Sequence, residues 1–530
     1  MAGLLGLLSV SGPWGLNAHA QTLGDPFTQG LQAPRSEAAT SLRATPAPLP
    51  TRAETPLPGS VLAALNRANV PTSAMSALVV PVGGAGPERL RFQADRPVNP
   101  ASVMKLVTTY AAMDMLGPDF TWRTEFFTDG RVSNGTLRGN LYVRGGGDPK
   151  LVLERIQDTF HALQDQGVTV ILGDMVLDHS AFDLPSHDPG EFDGESLKPY
   201  NASPDALLVN FKSVVLTFQP DPVAGVAHVI SEPPMAGLAI DATVPLSRAG
   251  CGDWREALQA RFDNANTSRF LGRYPTRCGE KVWPVAYQDP ASYAERAFEG
   301  LWRASGGAIT GRVRRGVMPP GTQLLYEARS LPLVDIIADV NQWSNNVMAQ
   351  QVFLTLGRLA PQRSEARSAG PGTFIPIRVG RWERSREAVN NWWKTTFGIH
   401  SVPPVMDNGS GLSRSERITP DGLASLLQHA AQHPQGAKFV ASLSVAGVNG
   451  TAARLAQGPN SAAKGNAWVK TGTLKDVTGI AGYVNARNGM RYAVVGFINH
   501  PNAPAARPAL DALLEWAASQ SDRFSAPDQR

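Results

Sequence analysis

The chain of 530 residues has only two cysteines, Cys251 and Cys278. That scarcity excludes a disulfide-dense scaffold, and zinc needs more ligands than these two supply. The two either form one bridge or stand as separate buried thiols. An oxidising compartment favours the bridge, which stabilises by roughly 3–4 kcal/mol in the chain-entropy model. Charged residues make up only 18%, the net charge is +4 and the pI is near 9.0. No concentrated basic patch of the kind nucleic acid requires accompanies that mild excess, so nucleic acid is not an expected partner. Beyond the N-terminal stretch no apolar run is long enough to span a bilayer. The run Gly145-Gly146-Gly147-Asp148-Pro149 lacks the Gly-Lys-Ser/Thr of a phosphate loop and reads as a turn. His429 and His433 have neither an intervening glutamate nor a third ligand, and read as a solvated helix face. No metal or cofactor is expected.

What is present begins at the N-terminus. Leu4–Val10 is a short apolar stretch, and Ala18-His19-Ala20 before Gln21 is an A-x-A cleavage site, although no Lys or Arg precedes the apolar stretch. Residues 1–20 therefore read as a signal peptide, and the protein as exported. Residues 21–58 are rich in Pro, Ala, Thr and Arg without apolar periodicity, and read as a disordered leader. The remaining length implies two or three domains.

Three short motifs carry chemistry in combination. Ser102-Val103-Met104-Lys105 is a Ser-x-x-Lys tetrad, followed downstream by Ser344-Asn345-Asn346 and Lys470-Thr471-Gly472. In that order they are the parts of an enzyme that opens amides or β-lactams with a serine nucleophile and no histidine. A serine hydroxyl is a poor nucleophile near neutral pH, so a base must take its proton. Three residues along a helix bring Lys105 onto the face of Ser102. Lysine serves as that base only if burial or a nearby cation destabilises its ammonium, and Lys470 is the candidate cation. Asn99 can cap this helix and Pro100 suits its first turn. Ala101–Leu116 then reads as a mostly apolar helix closed by Gly117-Pro118. A second tetrad, Ser461-Ala462-Ala463-Lys464, lies between Pro459 and Gly465-Asn466, a loop context that gives its serine and lysine no shared face.

Around these motifs the patterning is α+β. Met75–Val82 and Leu90–Gln93 read as strands joined by the turn Gly83-Gly84-Ala85-Gly86. Arg123–Thr128 and Leu137–Val143 flank Asn134-Gly135, a hairpin signal. Residues 170–325 read as short strands broken by Pro and Gly. Leu331–Leu356 reads as helix, with Ser344 and Asn346 on an all-helical face. Arg358–Arg386 holds seven arginines against two glutamates and reads as an exposed basic loop. Ala467–Val469, Gly479–Asn485 and Arg491–Ile498 read as adjacent antiparallel strands, with Lys470-Thr471-Gly472 on the edge strand and Pro508–Ser519 as a covering helix. The motifs can meet only if the first and last portions of the chain fold together around a large insertion.

These residues resemble the class C low-molecular-mass penicillin-binding proteins, the D-alanyl-D-alanine carboxypeptidase/endopeptidase family, whose hallmark is a long insertion between the first two motifs. Further matches are Asp407-Asn408-Gly409-Ser410-Gly411-Leu412-Ser413-Arg414, the Gly450-Thr451 turn, Val469 through Leu474 with Gly479 through Val484, and Gly173 through Asp178. The resemblance runs from about residue 60 to about 520. It implies a penicillin-binding/β-lactamase-like transpeptidase domain, helices around an antiparallel sheet, over 59–122 and 326–522. A β-rich insertion over 123–325 is expected to form two nested subdomains, 123–212 with 285–325, and 213–284. Ser102 is implied as the acylated nucleophile, Lys105 as its base, and Ser344 as the proton donor to the leaving amine. Asn346 would hold Lys105 and the substrate backbone. Lys470 would supply positive potential, Thr471 and Thr473 would bind a terminal carboxylate, and Gly472 would leave room for substrate. The Ser102 and Thr473 amides would form the oxyanion hole. Glu195, with Asp193 behind it, is the candidate for the acid that some members use to greet a free amine. The implied partners are peptidoglycan stem peptides and β-lactam antibiotics, and the implied compartment is a periplasm, most simply Gram-negative. A β-lactamase shares the three motifs but needs a group that activates water, and no signature of one is present.

Overall fold

Leu78 and Val80 face one side of a sheet and Ala77 and Val79 the other, yet every residue of the strand Met75–Pro81 is buried. A strand with no polar face lies in a sheet covered on both sides. The computed structural model describes residues 52–83, 86–368, 378–399 and 401–521, and the sheet is its centre. It has six antiparallel strands in the order Leu90–Phe92, Met75–Pro81, Arg491–Asn499, Val477–Asn485, Ala467–Leu474, Ser444–Val445. Helices Gly59–Arg67 and Arg507–Ala518 cover one face through Val61, Leu65, Leu510 and Leu513. The other face carries the serine helix Lys105–Leu116, surrounded by helices Leu333–Trp343, Asn346–Ser368, Trp382–Phe397 and Pro420–Gln432. The serine helix is mostly apolar and buried on nearly every side, so it sits inside this layer rather than on its surface. Each large side chain buried there, such as Tyr110 or Trp393, contributes about 1.5–3 kcal/mol.

The expected signal peptide and residues 21–51 of the expected leader lie outside the described residues, as do Gly84 and Ala85 of the expected turn. The last part of the leader is held against the fold: Thr55 bonds the backbone of Arg91, and Leu57 is buried. No helix of the described residues is long and apolar enough to cross a membrane.

Four features differ from expectation. The Asn134-Gly135 turn is real, with both residues at positive φ as a type I′ turn demands, but it joins Arg131–Ser133 to Thr136–Arg138. Arg123–Thr128 pairs instead with Leu141–Gly145, since a turn signal fixes the residues beside it and not the partners of longer strands. The helix expected through Leu331–Leu356 is two helices, broken at Ser344. The expected basic loop is largely helical, within Asn346–Ser368 and Trp382–Phe397, with 369–377 outside the described residues. Helices Leu153–Asp165 and Tyr293–Ala304 were not anticipated in the strand-rich region, although Ile156, Phe160 and Leu163 recur at helical spacing.

Strands between 123 and 178 pair with those between 308 and 329, and strands between 213 and 286 pair among themselves. One apolar core joins both sets: Phe160 packs edge-on to Phe298 and Trp302, and Phe218 against Phe270 and Tyr274. Gln323–Arg329 closes the first of these sheets, so the insertion's last strand runs past 325. Cys251 and Cys278 are joined as a disulfide in the second set.

Candidate active site

The serine helix opens with a 3-10 turn, Ala101–Met104, and becomes α-helical at Lys105. Asn99 Oδ1 accepts from Ala101 N at 2.8 Å, which satisfies a free amide at this end, while its Nδ2 donates to Ser413 O. The turn places Ser102 Oγ 3.0 Å from Lys105 Nζ. Lys105 is fully buried, and Nζ also donates to Asn346 Oδ1 at 2.6 Å and to the Ser410 carbonyl. Asn346 Nδ2 donates to Tyr200 O at 3.2 Å, which fixes its amide orientation and turns Oδ1 to the lysine. Burial, and then the charge of Lys470, push the Lys105 ammonium well below its ordinary range, against the opposing pull of Glu416. A neutral amine has two N–H bonds and one lone pair. Two carbonyl-type oxygens take the N–H bonds, so the lone pair is left for the hydroxyl of Ser102.

Ser344 is not on a helical face. It ends Leu333–Trp343 in the left-handed region, φ 62° and ψ 31°, and the next helix starts at Asn346. A non-glycine residue there costs on the order of 1 kcal/mol. The kink turns Ser344 toward the sheet, where Lys470 Nζ donates to its Oγ at 2.9 Å and to Thr471 O at 2.9 Å. Burial lowers Lys470 to about 7.

Lys470 lies on Ala467–Leu474, which is not quite an edge strand. The two-residue strand Ser444–Val445 covers its outer side only at Trp468 and Val469, leaving the outer side of Lys470–Leu474 open. A Cβ at Gly472 would lie 2.6 Å from Pro100 O and 3.1 Å from Ser102 N, so its bare Cα lets the strand press against the serine turn. Thr471 Oγ1 bonds Thr451 Oγ1 at 2.8 Å, and Thr473 is exposed at the open edge.

The segment Asp407–Gly411 closes the back of the site through its carbonyls: Ser410 O receives Lys105, and Gly409 O receives Thr108 Oγ1 at 2.6 Å. Glu416, invisible to motif reading, holds that segment. Its Oε1 accepts from the amides of Asp407, Asn408 and Gly409 at 3.0, 3.2 and 3.0 Å. Burial raises its carboxyl to about 6. A single acid in Ser413-Arg414-Ser415-Glu416 carries no sequence signal that sets it apart.

Glu195 is not brought to the Ser102 cluster. Its side chain is 58% exposed and stands 4.0 Å from Lys198 Nζ. Asp193 braces the loop that carries both: its carboxylate accepts from Tyr200 Oη at 2.9 Å, Asn201 Nδ2 at 2.8 Å and Glu195 N at 3.1 Å. Through the Tyr200 carbonyl this loop touches Asn346. Ser461 bonds Glu515 at 2.6 Å from a loop and shares no face with Lys464. His429 corrects the solvated-face reading: its Nδ1 bonds Tyr110 Oη at 2.6 Å among Phe397 and Tyr110, while His433, beyond the helix end, stands 3.3 Å from Asp114.

The description of the D-Ala-D-Ala carboxypeptidase 3 (S13) family matches residues 61–520 of this chain. A D-alanyl-D-alanine carboxypeptidase of Actinomadura sp. (strain R39) is 28% identical over 472 residues, covering 84% of this chain and 82% of its own. The D-alanyl-D-alanine carboxypeptidase DacB of Haemophilus influenzae is 26% identical over 399 residues, covering 75% and 80%. Among solved structures, penicillin binding protein 4 of H. influenzae superposes with a TM-score of 0.66 at 23% identity, covering 87% of this chain and 99% of that one. This likeness places the chain in the same α+β fold.

Proposed function

The chain belongs to the D-Ala-D-Ala carboxypeptidase 3 (S13) family, and from that premise we propose how its serine D,D-peptidase chemistry is divided among the residues of the site. Ser102 is the nucleophile. As its Oγ attacks the carbonyl carbon of the scissile amide, its proton passes to the lone pair of Lys105 Nζ, 3.0 Å away. The oxyanion forms between the amides of Ser102 and Thr473. Ser344 Oγ then relays the proton that Lys105 accepted on to the departing amine, its hydroxyl oriented by the bond from Lys470 Nζ. Water completes the cycle by hydrolysing the ester on Ser102.

A C-terminal D-alanine presents a carboxylate, and the open side of Lys470–Leu474 offers a cation and the hydroxyls of Thr471 and Thr473 to meet it. The substrates are peptidoglycan stem peptides, trimmed at their ends and cut at their D,D-cross-links. β-Lactams acylate the same serine. Glu195, on the loop beside Asn346, greets the free amine of the stem peptide. The protein works after export, in a periplasm. A fully buried lysine amine bonded to two neutral acceptors beside a serine is the observation that carries this reading.

Mass spectrometry after exposure to benzylpenicillin tests it. One adduct is expected, on Ser102, and Ser102→Ala abolishes it without unfolding the chain. An adduct on Ser461 overturns the assignment.

A further inference from the structure

Asp407-Asn408-Gly409-Ser410-Gly411 was singled out in the sequence, and the chemistry above leaves its anchor unexplained. Glu416 is fully buried, and three backbone amides converge on its Oε1. Its Oε2 is buried with no hydrogen-bond partner among the described residues. A carboxylate placed there for shape alone is a poor choice, because a buried charge is expensive unless it answers another. Two such charges are at hand. Lys105 and Lys470 are both fully buried, and Glu416 acts electrostatically on Lys105.

Resting on the reading of Lys105 as base, we propose that Glu416 is a positioning residue for it: the carboxylate fixes the carbonyls that hold Lys105 and balances the charge of the buried lysines. With Lys470 protonated, Glu416 ionised and Lys105 neutral, the three groups sum to zero, and this is the state that can attack. When the Ser102 proton arrives, Glu416 stabilises the ammonium that forms. The path of positional control is short. Glu416 holds the amides of residues 407–409, and the carbonyls of Gly409 and Ser410 bond Thr108 and Lys105 on the serine helix.

The charged groups around it are few. Asp407, on the held segment, pushes the carboxyl of Glu416 up and is itself 3.6 Å from Arg386 of the helix Trp382–Phe397. Arg417 turns away, donating to the carbonyls of Arg414 and Glu416. Lys105, on the serine helix, feels the charge of Glu416, and Lys470 on the sheet in turn bears on Lys105.

The test is the pH profile of acylation by benzylpenicillin for wild type, Glu416→Gln and Thr108→Val. A glutamine keeps an oxygen for the three amides but has no charge. Removing the charge makes Lys105 a weaker base and a poorer proton holder. Glu416→Gln should therefore lower the plateau rate on the order of tenfold and move the acid limb down by about one pH unit. Thr108→Val loosens the same segment without changing charge, so its plateau falls while its acid limb stays at the wild-type position. If Glu416→Gln does not fold, Glu416→Asn is read the same way. An acid limb unmoved or raised in the uncharged variant overturns the proposal, leaving Glu416 a mere brace. That failure is separate from failure of the underlying reading, which would show as near-wild-type acylation by Lys105→Arg.

Discussion

Two buried lysines, in two regions of the molecule, meet opposite fates. In the insertion, Lys212 Nζ lies 3.1 Å from Asp205 and 3.0 Å from Ser203 Oγ. Asp205 also accepts from His179 and stands 3.7 Å from Arg315. Burial works against its charge, yet Lys212 and His179 hold its carboxyl far below the usual range. In the catalytic region, Lys105 has, among the described residues, only neutral oxygens within hydrogen-bond reach and a second cation near by. The first lysine, through Asp205 and Ser203, ties chain segments together. The second is kept short of a proton. Both lysines are buried, and the difference between their surroundings is the carboxylate that stands in contact with Lys212 and not with Lys105.

Exchanging charge for charge breaks this contrast most sharply. Arginine stays protonated, so Lys105→Arg should reduce benzylpenicillin acylation by a factor of roughly 10²–10⁴. Lys470→Ala should lose most of the activity, while Lys470→Arg keeps a measurable part, because there the charge matters. Lys212→Arg should acylate at close to the wild-type rate, since arginine serves the pair with Asp205 equally well. Parallel acylation rates check all four, and a fully active Lys105→Arg would falsify the base assignment.

The pH dependence of stability separates the two regions by sign. Lys470 falls to about 7 when folded, from the usual 10.5. Between those values the unfolded chain binds the extra proton, so this group makes stability rise with pH, by at most about 1.4 kcal/mol per unit. Asp205 is depressed when folded, so its contribution is present above the ordinary carboxylate range and is lost as pH falls through the folded value. Melting curves of Lys470→Met should show the penalty near pH 7 relieved and the alkaline gain gone, and those of Asp205→Asn should flatten the acid side only. The opposite assignment of the two effects would reverse the comparison.

The smallest effect on catalysis is expected from reducing Cys251–Cys278. Removing that cross-link costs roughly 3–4 kcal/mol in the chain-entropy picture, all of it within the insertion. Limited proteolysis should find new cuts between 213 and 286, with acylation of Ser102 almost unchanged. A parallel loss of acylation would mean that the insertion and the site are not separable.

The sequence made Ser102 and Lys105 easy to pair, because helical spacing is a local rule and both residues obey it. The strands from Ala467 to Asn499 were equally plain, being long, apolar and separated by clear turns. Ser344 was misplaced because a single left-handed residue between two apolar helices leaves no mark on their periodicity. Asn134-Gly135 named its turn but not its sheet, since pairing between Arg123–Thr128 and Leu141–Gly145 is decided by distant packing. Glu416 was out of reach for a different reason: three amides converge on it only after the chain has folded.

The strand Ala467–Leu474 is covered as far as Val469 and bare beyond it. A bare strand is ordinarily a hazard, because its unpaired amides and carbonyls template sheet growth between molecules. Here the bare part is short, its start is anchored by a lysine drawn inward, and Gly472 holds it down on the serine turn. The open stretch is short and closely held, which makes it a poor template for a long intermolecular sheet. The restraint on aggregation comes from the same contacts that bring Lys470 and the serine turn together.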